Sequence, residues 1–180
     1  MRSSMIALSL VFVFAVGCSK KKPKKDLCPA AKAELVDKLE EAVKAWTQVE
    51  KGWNDPELAK TVQKTLDKKA QSAGLEAAKA KADSMSFQGY LTFKKDHAKR
   101  SLAAVQKALA AAKGEDIKKA RGITVRSLIV STDKSGIRSR SASWFSHPNV
   151  VAVDEQQRKA FNLVTEARDL AKAAAKKCGK

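Results

Sequence analysis

Residues 28 to 53 set apolar side chains at three- and four-residue steps: Cys28, Ala31, Leu35, Leu39, Ala42, Trp46, Val49 and Trp53. An α-helix turns once in 3.6 residues, so these positions align as one stripe, whereas a half-buried strand would need strict alternation. Pro29 suits the first turn of such a helix. A helix with a single apolar stripe must bury it against other elements, which points to helix-on-helix packing.

Three further stretches repeat the pattern. Asp55 as cap and Pro56 in the first turn predict a second helix that buries Leu58, Val62, Leu66, Ala70 and Ala73, weakens at Gly74 and runs on to about Asp83. A third stripe comprises Ala98, Leu102, Val105, Leu109 and Ala112, stopped at Lys113-Gly114. Asp154 with Gln157 resembles a capping box, and Ala160, Leu163, Val164, Ala167, Leu170, Ala171, Ala174 and Cys178 follow before Gly179. The expected fold class is mainly α, an up-and-down bundle of about four helices. With only 6% aromatic residues the balance is one that favours helix, and 180 residues accommodate one ordinary domain.

The first 27 residues do not share this pattern. Arg2 precedes an apolar stretch, Met5 to Val16, interrupted only by Ser9. It is too short to span a bilayer, which takes roughly 20 apolar residues, and reads as an export leader. Ala15-Val16-Gly17-Cys18 resembles the lipobox of bacterial lipoproteins, with alanine where leucine is commoner at the first position. That resemblance implies cleavage before Cys18 and a diacylglycerol thioether on its sulfur. With two or three chains in all, each buried CH2 worth about 0.8 kcal/mol, the anchor would be stable. Ser19, a residue other than aspartate, implies the outer membrane in double-membraned bacteria. Ser19 to Asp26 reads SKKKPKKD, a lysine-rich tether. The expected organisation is a signal peptide at 1–17, a tether at 18–27 and a bundle domain at 28–180.

Net charge is +17, and Arg2 is the only charge of the leader, so residues 18–180 carry +16. Such a balance draws a protein to anionic surfaces. Charge alone suits nucleic acid as well as phospholipid, but export removes nucleic acid as a partner. What remains is anionic lipid, lipopolysaccharide or cell-wall polymer, reached by a lipid-anchored domain. Export also sets the redox setting for Cys28 and Cys178, the pair left once Cys18 is lipidated. They lie at the two ends of the domain and are expected to form a disulfide, because an up-and-down bundle returns its last helix to the end where the first began.

Between Gly114 and Asp154 the helical period is lost. Residues 114–153 read as an irregular basic insertion with a β-like run, Ile123 to Ser131, suited to a short hairpin. Lys118, Lys119, Arg121, Arg126, Lys134, Arg138 and Arg140 lie in it, with Trp144 and Phe145 close behind. Arginine engages phosphate bidentately and tryptophan anchors at interfaces, so Lys118, Lys119, Arg121, Arg126, Arg138, Arg140 and Trp144 are the candidate contacts to an anionic partner. The competing reading is a covering loop whose aromatics pack on the bundle. Phe87, Tyr90 and Phe93 are assigned to packing or a turn at the entrance to the third helix.

No catalytic, metal or cofactor site is expected. His97 and His147 belong to no metal-binding spacing, and CxxC, phosphate-binding loop and GxSxG are missing from the sequence. Ser143, Ser146 and His147 cluster without the strand-turn-helix context of a nucleophile. The leading expectation is therefore a non-enzymatic, lipid-anchored envelope protein that binds an anionic partner or serves as accessory subunit of an envelope complex. The rivals are an envelope hydrolase with its site in 114–153 and a structural spacer.

Overall fold

The computed structural model describes residues 28–72, 77–131 and 144–178, with the backbone alone at 77 and 125–131. The leader, Cys18, the tether, Lys134, Arg138 and Arg140 lie outside the described residues. Five helices follow in order: α1 (Cys28–Asn54), α2 (Pro56–Ser72), α3 (Ala77–Lys113), α4 (Ile117–Ser131) and α5 (Pro148–Cys178). None of them is long and apolar enough to cross a membrane.

The stripe of α1 is its buried face. Ala31, Leu35, Leu39, Ala42, Trp46, Val49 and Trp53 are all buried, and each large apolar side chain among them contributes about 1.5–3 kcal/mol of transfer free energy. Against this stripe α5 sets Val150, Val153, Ala160, Val164, Ala167, Ala171 and Ala174. The run of alanines lets the two backbones approach closely. Gly52 does the same at the far crossing, where a Cβ would stand 3.1 Å from both γ-carbons of Val153.

The two helices are antiparallel. Cys28 opens α1 and Cys178 closes α5, their sulfurs 2.10 Å and their Cα atoms 4.9 Å apart, which is disulfide distance. At the opposite end, Trp53 Nε1 donates to Gln157 Oε1 at 3.1 Å. Helix α3 also runs antiparallel to α1, with Lys113 Nζ 2.7 Å from Glu40 at one end and the rings of Trp53 and Tyr90 in edge contact at the other. On its inner face lie Phe87, Tyr90, Leu91, Ala98, Leu102, Val105, Ala108 and Ala112.

The chain stops α3 with a left-handed residue. The N–H of Asp116 donates to Ala111 O at 2.9 Å and that of Glu115 to Ala112 O at 3.1 Å. This is the paired hydrogen bonding of a Schellman ending, with Glu115 at φ 66° in the position glycine usually takes. Asp116 then caps α4, its Oδ1 accepting the N–H of Lys119 at 2.9 Å. Helix α4 turns back to pack on α3 and α5, burying Ile117, Ala120 and Thr124. Caps also begin α2, where Asp55 Oδ1 accepts the N–H of Glu57 at 2.9 Å, and α5, where His147 Nδ1 accepts the N–H of Asn149 at 3.3 Å.

Several sequence-based expectations need correction. The stretch 114–153 is not one irregular insertion, because 117–131 is helix α4 and α5 begins at Pro148. Ile123 to Ser131 is helical rather than β-like. Its β-branched residues disguise a helix in whose described side chains Ile117, Ala120 and Thr124 are buried at i, i+3 and i+7. Asp154 does not cap the last helix. It lies inside α5, two turns past the cap at His147, and its carboxylate is engaged by α3. The second helix ends at Ser72 instead of running on to Asp83, and 77–83 belong to α3, which has Phe87, Tyr90 and Phe93 within it. Among the described residues five helices thus stand where the apolar period counts four.

Candidate functional site

Two groupings outside the apolar core hold the polar chemistry of the described residues. One is an interior network at the end of the bundle away from the cysteines. Tyr90, Lys94 and His97 stand one to two turns apart on α3 and face Asp154 and Gln157 on α5. Tyr90 Oη donates to Asp154 Oδ2 at 2.7 Å, and Lys94 Nζ donates to Asp154 Oδ1 at 2.5 Å and to Gln157 Oε1 at 3.2 Å. Gln157 Nε2 reaches His97 Nδ1 at 3.5 Å.

Aromatic rings wall this network. The Lys94 ammonium stands 5.2 Å from the ring centroids of both Trp53 and Tyr90, within reach of a cation–π attraction. Tyr90 also lies 4.7 Å from Trp144, and His97 is tilted against Trp46 and stacked on Phe93. Burial, followed by the charge of Asp154 and the hydrogen bond to it, raises the Tyr90 hydroxyl above its ordinary value. The phenol therefore stays protonated and works as a donor. With every polar atom of the Lys94–Asp154 pair turned to a neighbour, the network ties α1, α3 and α5 together.

The second grouping is a cationic surface at the end where Cys28 and Cys178 meet. Lys118, Lys119 and Arg121 are exposed on the first two turns of α4. Lys172, Lys176 and Lys177 are exposed near the end of α5, and Lys107 near the end of α3. A recess of about 460 Å³ opens between α3 and α4, lined by Lys107, Ala110, Ala111, Gly114, Asp116, Lys119 and Ile123. Its floor is small and apolar, and Lys107 and Lys119 contribute its cationic groups.

The sequence-based candidates divide on this map. Lys118, Lys119 and Arg121 share the cationic end, Arg126 has its backbone in α4, and Arg138 and Arg140 lie outside the described residues. Trp144 is 1% exposed and packs on Phe87, Tyr90 and Phe145. Lys107, Lys172, Lys176 and Lys177 join the cationic end although they sit on other helices. Antiparallel packing is what assembles them, and linear sequence shows it only through the paired positions of Cys28 and Cys178.

Neither histidine stands in a metal-binding group, and among the described residues three or more His, Cys, Asp or Glu side chains nowhere converge in that way. His147 is held below the ordinary imidazole value, by burial and then by the charge of Lys69. Its neutral Nδ1 is what accepts the Asn149 N–H. No family model, curated protein or solved structure matches this chain. The functional reading therefore rests on the residues themselves.

Proposed function

We propose that this chain is an exported bacterial lipoprotein, anchored through Cys18, whose cationic helical domain binds an anionic component of the cell envelope and is not itself an enzyme. The observation that carries the reading is the Ala15-Val16-Gly17-Cys18 motif directly behind an apolar segment too short to span a bilayer. Two further features support it. Cys28 and Cys178 stand at disulfide distance, an arrangement that persists in an oxidising compartment. The +16 charge of residues 18–180 favours an anionic partner such as phospholipid, lipopolysaccharide or cell-wall polymer, or an acidic subunit of an envelope complex.

In this reading the bundle begins at Cys28, ten residues beyond the lipid, and the lysine-rich segment between them is the tether. Ser19 assigns the protein to the outer membrane of a double-membraned cell. Mass spectrometry of the native product tests the anchor. The expected N-terminal peptide begins at Cys18 and carries diacylglycerol, and Cys18→Ser releases the protein from the membrane fraction. An unmodified thiol at Cys18 or an intact leader overturns the proposal.

A further inference from the structure

The cationic side chains are not spread evenly over the bundle. In the stretches that meet at the cysteine end, 28–37, 107–121 and 168–178, ten side chains are basic and five acidic. In those at the opposite end, 50–72, 77–91 and 144–159, nine are basic and seven acidic over a longer length of chain. The contrast lies in net charge per length of chain and not in pairing, since of the basic side chains in the opposite-end stretches only Lys60, with Glu57, has an ion pair among the described residues. At the cysteine end Lys32 is paired with Glu115, Lys113 with Glu40 and Arg168 with Asp169. The carboxylate of Asp116 caps α4. Lys107, Lys118, Lys119, Arg121, Lys172, Lys176 and Lys177 remain exposed with no ion pair among the described residues.

This end is also where the tether enters. Residues 19–26 add five lysines directly before Cys28, and ten residues of chain reach at most about 35 Å from a lipidated Cys18. A bundle so short-leashed holds its cysteine end within contact distance of the bilayer. We infer that the end formed by the start of α1, the α3–α4 turn and the close of α5 is a docking face for anionic phospholipid headgroups, so that the domain sits end-on against the membrane that anchors it. The recess between α3 and α4 lies on this face, with Lys107 and Lys119 placed to meet a headgroup phosphate and the alanine floor to meet its glycerol and upper acyl carbons. The inference rests on the anchored reading for the membrane's proximity, but the face itself is testable without the lipid.

The probe is a vesicle of phosphatidylcholine with and without phosphatidylglycerol, and the protein is the chain from residue 18 with Cys18→Ser. In the anchored reading this is the mature chain, and among the described residues every buried one lies between Ala31 and Ala174. Co-sedimentation is expected with phosphatidylglycerol vesicles only, weakening as salt rises. Replacing Lys118, Lys119, Lys176 and Lys177 together by glutamine is expected to lower the partition coefficient roughly tenfold or more, at about one thermal unit of attraction or somewhat more per lysine. Replacing Lys51, Lys64, Lys68 and Lys69 in the same way removes the same charge from the other end and is expected to change it less than about threefold. Circular dichroism and melting confirm that both variants fold. Equal losses from the two variants, or equal binding to both vesicles, overturn the docking face. Failure of the anchor is read separately, from the mass of the Cys18 peptide in the native host.

Discussion

Lys94 and Asp154 are a charged pair with side chains only 13% and 20% exposed, set where α1, α3 and α5 cross. Removing one charge strands the other in a poorly hydrated site, which costs more than removing both. Lys94→Met is therefore expected to destabilise the fold by about 2 kcal/mol, and Lys94→Met with Asp154→Leu by clearly less, as read from urea midpoints. A double variant at least as unstable as the single one would show that the pair is not coupled in this way. His147 gives a pH signature at the same scale. Its folded-state value lies below the unfolded one, so the unfolded chain takes up the proton first and stability falls as pH drops below about 6.5. His147→Asn keeps a capping acceptor for α5 and removes the titration. Its melting midpoint should fall less than that of the native protein between pH 7.5 and 5.5. Sequence alone marks Asp154 and Gln157 as a pair one turn apart but assigns them to a cap, because the α3 partners that explain them lie 60 to 64 residues earlier.

Helices α1 and α5 are legible in the sequence because each carries a long apolar stripe, and the order of that stripe is the order of burial. Helix α4 is not, since its β-branched residues mimic a strand and hide the helical spacing of Ile117, Ala120 and Thr124. Gly122 and Glu115 separate the two readings experimentally. Gly122 is exposed inside α4, and a Cβ added there meets nothing within 4 Å. In a helix interior Gly122→Ala should stabilise by about 0.5–1 kcal/mol, whereas a hairpin gives no reason for a gain. Glu115 stands at φ 66° in the turn that admits α4. Glu115→Gly removes the left-handed strain of a side-chain-bearing residue at the loss of an exposed pair with Lys32. The net gain is expected to reach about 1 kcal/mol, a rise of roughly 2–4 °C in melting midpoint. A fall in midpoint for both variants would return this stretch to the strand reading.

The whole molecule is held as a loop. Helices α1 and α5 pack along their length, and the cysteines sit 150 residues apart at the end where the chain enters and leaves. A bond there removes conformations only from the unfolded chain, since the native helices already bring the two ends together. The chain-entropy account gives up to about 5 kcal/mol for a loop of this size, and measured values generally fall short of that. Reduction, or Cys28→Ala with Cys178→Ala, should therefore lower the melting midpoint by about 10 °C while leaving helix content at room temperature intact. The same treatment should not alter vesicle binding below the transition, because the charged side chains of the docking face are placed by helix packing and not by the bond. Loss of binding on reduction, with helicity retained, would mean that the cysteine end opens when the clasp is cut. In that case the orientation of Lys118, Lys119, Lys176 and Lys177 depends on covalent closure, and the redox state of the envelope would control whether the domain lies against the membrane.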